Sequence, residues 1–385
     1  MTKIVIIGSS IAGVSAAEAA RKQDPDATIS IYSMDTKLPY YRLRIGEVLA
    51  DPAMAEKLVL HPQFWYDERN IDINLNQVVT AIDPDKKEIT LESGDQVSYD
   101  KLILAQGSHS FVPPIKGKDL DGVMTLWYMD EALKIEAALA EGAKAVIIGG
   151  GLLGLETAYN VAKHDIDTTI IETSDRLLAR QLDETGSAIF KKQVERQHVH
   201  PIVSGSVVEI KADESGKKVA SVELKDGTSI PADIVIISTG VRPNVNLLEG
   251  IDIEIGRHII CNDRMETSIP DIYAAGDVME QDGQWYGQWS ISMAQGKTAG
   301  TNAAGGDATY QIQPPPYTMN TMNTKVASGG TLYGDDVPNY NEDVDTDEEN
   351  LTYHKVSKSG DKVVGFALIG NTKDYLKLSK AMKDD

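Results

Sequence analysis

Ile4, Val5, Ile6 and Ile7 form an unbroken apolar run that stops at Gly8; an Ala-rich stretch over residues 11–20 and a stretch of alternating polarity over residues 28–32 follow. That order predicts a buried parallel strand, a tight turn, a helix and a second strand. The same succession returns over residues 145–148, 152–162 and 168–171, with Gly149 standing 141 positions after Gly8 (149 − 8 = 141). Two βαβ openings of the dinucleotide-binding kind are therefore predicted. Residues 78–82, 88–92, 206–211 and 219–224 read as short strands. The turn residues Ser93-Gly94-Asp95 and Lys225-Asp226-Gly227 fold them into small antiparallel sheets.

Beyond about residue 310 the pattern changes. Pro314, Pro315 and Pro316 read as an extended connector, and a strand-rich tail ends in a helix over residues 376–382. Residues 335–350 hold eight acids and no base, which predicts a solvated loop. A chain of 385 residues exceeds one ordinary core. We expect four segments: 1–110 and 239–310 forming one domain, 111–238 a second, and 311–385 a small third.

Charge narrows the partners. With 37 basic and 58 acidic residues the net charge is −21, which repels nucleic acid and anionic membranes. No apolar run approaches the roughly 18 residues that span a bilayer. The single cysteine, Cys261, cannot make an internal disulfide and is expected as a small buried side chain. These features predict a cytoplasmic protein with no membrane or nucleic-acid partner.

The two glycine-rich loops carry the candidate chemistry. In the first, Gly8 permits a sharp turn out of the strand and Gly13 a close helix–strand approach, while the helix N-terminus offers free N–H groups to a pyrophosphate. Its middle position is Ser10 rather than glycine. The acid expected after the second strand is replaced by Ser33, with Asp35 two positions on. The second loop has Gly149, Gly151 and Gly154 all in place, and Glu172 stands 23 residues after Gly149. A carboxylate there accepts hydrogen bonds from ribose hydroxyls and repels a 2′-phosphate, and no base follows until Arg176, so NADH is expected over NADPH.

Further motifs occur in order: residues 99–108, containing Ala105 and Gly107; residues 238–244, containing Gly240; and residues 267–277, ending in Gly276 and Asp277. Together with the glycine loops, these resemble the FAD-dependent pyridine nucleotide-disulfide oxidoreductases over nearly the whole chain. The resemblance points to the branch without a redox-active cysteine, which includes NADH:rubredoxin reductases and ferredoxin reductases. It implies an α/β fold with two Rossmann-like dinucleotide-binding domains in a glutathione reductase-like arrangement plus a small α+β C-terminal domain, with FAD and NADH as cofactors. It implies further that Asp277 bonds the FAD ribityl chain, that Gly276 lies at the pyrophosphate, and that Glu156 lies near flavin N5. Residues 37–44 resemble the stretch lying against the flavin, where Arg44 or Arg42 either pairs with Glu156 or faces the isoalloxazine. Residues 289–296, containing Trp289 and Gln295, resemble the segment before the helix whose N-terminus points at the flavin, with Trp289 closing the pocket or forming an electron exit. Glu156, Arg44 and Trp289 are thus the candidate catalytic groups.

The resemblance favours electron transfer from NADH through FAD to a small carrier of rubredoxin or ferredoxin type. Such carriers are usually acidic, so a chain at −21 needs a local basic patch to dock one. Two alternatives stay open: a peroxide-forming NADH oxidase using O2, and a redox-sensing flavoprotein with a binding role. Either a monomer or a homodimer is compatible with the sequence.

Overall fold

A computed structural model describes residues 1–383 and groups them into two compact units: residues 1–45, 53–109 and 241–313 form the first, and the second comprises 46–52, 110–240 and 314 onward.

The first unit is built on a five-stranded parallel sheet in the order Ile272–Ala274, Lys101–Leu104, Lys3–Ile7, Thr28–Tyr32, Ile71–Asn74. Its central strands are apolar on both faces, as a covered parallel sheet requires; Ile6, Leu102, Ile103 and Leu104 are fully buried. Two helices, Ile11–Gln23 and Trp289–Ala303, pack against each other with their backbones nearly touching. A Cβ on Gly296 would come within 2.2 Å of Ala12 O, and one on Gly300 within 2.0 Å of Ala16 O. Small residues on both helices therefore set the distance between them. An antiparallel sheet of Val79–Asp83, Glu88–Leu91 and Gln96–Ser98 also forms.

The second unit repeats the design, with parallel strands in the order Val199–Ile202, Asp167–Ile171, Lys144–Ile148, Ile234–Ile237, Val123–Thr125. The helix Leu152–Ala162 follows its glycine loop. The two loops close alike: Gly8 N–H donates to Tyr32 O at 2.8 Å, and Gly149 N–H to Ile171 O at 2.7 Å. Gly8 and Gly149 both take positive φ, +105° and +118°, where other residues are strained.

The same unit contains a five-stranded antiparallel sheet, in the order Tyr317–Thr321, Thr324–Gly330, Lys362–Ile369, Thr352–Ser359, Tyr340–Asp347, with a small core of Ala327, Val356, Phe366, Leu368 and Leu378. Half of the acidic stretch expected as a loop is the edge strand Tyr340–Asp347 of this sheet. Nearly all of it is exposed on both faces, so no apolar alternation marks it as a strand. Its carboxylates discourage edge-to-edge pairing with another sheet. We propose the four-segment division above as the domain organisation.

Candidate active site

In the first unit the turn from strand to helix brings Gly8 against the carbonyl of Ala105; a Cβ on Gly8 would sit 2.2 Å from that oxygen, and one on Gly13 1.9 Å from Gly8 O. Ser10 is the N-cap of the helix Ile11–Gln23 and makes no capping bond through its side chain, so the first-turn N–H groups stay open to an anion. Ser33, in the acid's expected place, instead pairs its hydroxyl with that of Ser9 at 2.7 Å, both buried. Asp35 lies in the following turn, accepting from Lys37 N–H at 3.2 Å and Tyr40 Oη at 3.3 Å.

Asp277 stands at the end of the motif containing Gly276. Ser108 Oγ donates to Asp277 Oδ2 at 2.9 Å, while burial pushes the carboxyl above its usual range against the pull of Ser108, Arg42, His258 and Ser292. Arg42 also lies over the Tyr40 ring at 5.2 Å. Gln295 is buried and accepts the Gly276 N–H through Oε1 at 3.0 Å. Trp289 is the first residue of the helix Trp289–Ala303 and not part of a segment before it, because Gln288 is the extended N-cap. Its ring stacks on Tyr41, centroids 5.7 Å apart and planes at 24°. Arg44 is exposed and donates its backbone N–H to Tyr41 O at 2.9 Å.

Around Gly107, which takes φ +63° and has open space where a Cβ would stand, the chain is fastened to Asn244. Asn244 Nδ2 donates to Gln106 O at 2.7 Å, and its Oδ1 meets His109 Nδ1 at 2.6 Å. Gln106 Oε1 is buried with no partner among the described residues, an acceptor that a ligand donor would satisfy. A buried carboxyl, an orphaned amide oxygen, an open helix N-terminus and a glycine-lined turn together fit the hydroxyls and pyrophosphate of FAD.

In the second unit, Gly149 is pressed against Ser238 O and Gly154 against Gly149 O, at 2.1 and 2.0 Å from their would-be Cβ atoms. Gly151 differs, since a Cβ there would meet nothing within 4 Å. Glu172 is held by backbone: Gly150 N–H donates to Oε2 at 2.7 Å and Ser174 N–H to Oε1 at 2.7 Å. Gly240 takes φ +94°, and its carbonyl accepts the Phe111 N–H at 2.8 Å. Glu156, on the helix Leu152–Ala162, is pushed up to about 7, chiefly by burial and further by the Glu47 carboxylate. Gly46 packs on that helix, its would-be Cβ 4.0 Å from Glu156 Cβ.

Ser9, Ser108, Ser292 and Tyr41 fall inside motifs read from the sequence but carried no role there, and Glu47 lay outside them. Hydroxyls and single acids carry no periodic signal, and Ser108 lies 169 positions from the carboxylate it bonds.

Residues 2–296 match the family model described as pyridine nucleotide-disulphide oxidoreductase. The chain belongs to this family. Residues 315–385 match the rubredoxin NAD+ reductase C-terminal domain. The chain is 34% identical over 331 residues to the NADH-rubredoxin oxidoreductase of Clostridium acetobutylicum, covering 86% of this chain and 82% of that one. The crystal structure of that family member superposes with a TM-score of 0.83, covering 99% of this chain and 95% of the other. An NADH oxidase of Methanocaldococcus jannaschii is 33% identical over 323 residues, covering 80% of this chain and 71% of its own. The chain also aligns over 97% of its length with a nitrite reductase of Bacillus subtilis at 32% identity, but spans only 46% of that relative.

Members of this family that exchange disulfides need a reactive thiolate. Cys261, the sole cysteine of the sequence, is buried and its thiol is pushed up to about 12, mainly by that burial. It cannot serve as one near neutral pH.

Proposed function

We propose that this protein is an NADH-dependent FAD oxidoreductase that delivers electrons to a small carrier of the rubredoxin type. The observation that carries this reading is the likeness, running through both the catalytic and the C-terminal portions, to a reductase named for that carrier. Gly8, Ser10 and Gly13 would hold the FAD pyrophosphate, with Asp35, Ala105, Gly107 and Gly276 lining its approach. Asp277, carried by Ser108, would hold the ribityl hydroxyls, and Gln295 fixes the Gly276 backbone. FAD bound there would supply hydride acceptance from dihydronicotinamide and release of electrons singly or in pairs.

Gly149, Gly151, Gly154 and Gly240 would cradle the NADH pyrophosphate, and Glu172 would take the ribose hydroxyls. The protein's own part is position and charge. The N-terminus of the helix Trp289–Ala303 would offer partial positive charge to anionic character developing on the flavin, and Glu156 near pH 7 would hold or give up a proton. Arg42 keeps a cation beside Asp277.

Docking an acidic carrier on so acidic a chain needs a local basic patch. Lys37, Arg42 and Arg44, which lie between Asp35 and Glu47, would contribute its cations, and Tyr41 and Leu43 stand exposed in the same stretch. Arg44 would steer and Trp289 with Tyr41 would conduct. Among the described residues no helix is long and apolar enough to cross a membrane. A cytoplasmic location agrees with the single buried thiol.

The Methanocaldococcus relative favours one second reading, an oxidase reacting with O2. Anaerobic reduction of the flavin-loaded protein by NADH, followed by mixing with oxidised rubredoxin or with air-saturated buffer, decides between them. Fast reoxidation by the iron protein and slow reoxidation by O2 supports the reductase. The reverse, with stoichiometric peroxide, replaces it with the oxidase.

A further inference from the structure

The loop that follows Glu172 is shared between two parts of the second unit. Ser174 N–H caps the Glu172 carboxylate, and Leu177 packs on the glycine loop, its Cδ2 2.8 Å from where a Cβ on Gly150 would stand. Arg176 lies between these two anchors, so its backbone is fixed beside the carboxylate that would take the ribose. Its guanidinium is occupied elsewhere. Nη1 pairs with Asp175 at 2.8 Å and lies 3.5 Å from Glu184, and Nη2 donates to Tyr333 Oη at 3.0 Å. Tyr333 comes from the C-terminal portion and also reaches Glu184 at 3.4 Å. Arg176 Nε is buried with no partner among the described residues.

A guanidinium beside the adenosine ribose is the group that recognises a 2′-phosphate, since it offers a planar fork of donors to phosphate oxygens. Here two carboxylates over-compensate its charge and a tyrosine hydroxyl takes one of its donors. A phosphate approaching the site would therefore meet net negative charge from Asp175, Glu184 and Glu172. We propose that Tyr333 and Glu184 determine nucleotide specificity by withholding Arg176 from the 2′ position, so that the C-terminal portion helps to enforce NADH use. Asp175 and Glu184 are 70% and 68% exposed at their side chains, so water screens the restraint and its removal is worth a modest factor.

This inference rests on the assignment of the second glycine loop to the pyridine nucleotide. It is tested with the flavin-loaded protein carrying Tyr333→Phe and Glu184→Gln together, and with the same pair in an Arg176→Ala background. Calorimetric binding of adenosine 2′,5′-bisphosphate and of AMP reads the 2′ preference without turnover, and kcat/KM for NADPH and NADH reads it with turnover. One freed charge-assisted contact predicts about a tenfold gain for the bisphosphate and for NADPH, with AMP and NADH changed less than about twofold. The gain should vanish in the Arg176→Ala background. An unchanged bisphosphate affinity in a variant of normal melting temperature, or a gain that survives loss of Arg176, overturns the proposal. If the unaltered protein binds neither AMP nor NADH, the assignment of the loop itself fails and the proposal falls with it.

Discussion

Ser108 Oγ donates 2.9 Å to Asp277 Oδ2, joining two motifs of the first unit across 169 positions of sequence. Burial makes the Asp277 carboxyl harder to ionise, and the hydroxyl partly offsets that. Replacing Asp277 by Ala should remove a charged acceptor for FAD. A loss of the size typical of a charged hydrogen bond, about 1.5–3 kcal/mol, raises the FAD Kd roughly 10- to 150-fold. Flavin content after dialysis, read as the visible-to-ultraviolet absorbance ratio, checks this. Full flavin retention would remove Asp277 from the site. Ser108→Ala should show the same effect in weaker form.

Glu156 should make both stability and turnover depend on pH. Its folded pKa of about 7 lies above the ordinary 4.5, so the native state keeps a proton that the unfolded chain gives up. Stability is therefore intact below about pH 4.5, falls as pH rises to about 7, and is level beyond, a cost of at most about 3 kcal/mol. Glu156→Gln removes that cost, so its melting temperature should exceed that of the parent above pH 7 and match it near pH 4.5. The rate of flavin bleaching by NADH should lose its inflection near pH 7 in the same variant. An inflection that persists assigns the titration to another group.

How much of this was legible follows from the kind of signal each residue carries. Gly8, Gly13, Gly149 and Gly154 were readable because each marks a backbone contact that excludes a side chain, and that constraint fixes their spacing. The parallel strands were readable because burial on both faces demands continuous apolar runs. The strand Tyr340–Asp347 was not, because solvent on both faces erases alternation. Glu47 was invisible for another reason, since its effect on Glu156 arises only when the chain brings the two acids into one environment.

The glycines also predict a contrast. Gly154→Ala forces a methyl to 2.0 Å from Gly149 O and should destabilise the second unit. Gly151→Ala meets nothing in the protein, and its φ of −82° suits any residue. It should fold normally, with an unchanged melting temperature, yet raise KM for NADH about tenfold, because the methyl would fill the space left for the pyrophosphate. An unaltered KM would place the dinucleotide elsewhere.

Lys355 is nearly buried, with Nζ 2.8 Å from Asp183 Oδ2 and 2.9 Å from Glu342 Oε2. Asp183 also caps the helix Glu184–Glu195 through Gly186 N–H and accepts the Tyr353 hydroxyl at 2.7 Å. Its carboxyl is held below the usual range by Lys355, Gly186 and Tyr353 despite the opposing effect of burial. Lys355→Met strands that carboxylate and should cost about 3–5 kcal/mol, whereas adding Asp183→Asn should recover part of the loss. Chemical denaturation of Lys355→Met, Asp183→Asn and the double variant checks this; simple additivity would show that the pair is not coupled.

Trp289 and Tyr41 stack in the first unit, with Tyr41 exposed to solvent. If they form the exit for electrons, removing either ring should slow delivery without touching reduction. Trp289→Ala and Tyr41→Ala should bleach with NADH at the parental rate once flavin-loaded. Their reoxidation by rubredoxin should slow about tenfold or more, roughly 1.4 kcal/mol on the barrier. Reoxidation by ferricyanide, a small acceptor needing no docking surface, should change little. Equal slowing with both acceptors would instead mean that the rings shape the flavin pocket, and the carrier would then dock elsewhere. Arg44→Glu separates docking from conduction, because a rim charge acts on the association rate and its salt dependence. It should slow reoxidation by an acidic carrier at low salt and lose that effect as salt rises, while the Trp289 defect persists at every ionic strength.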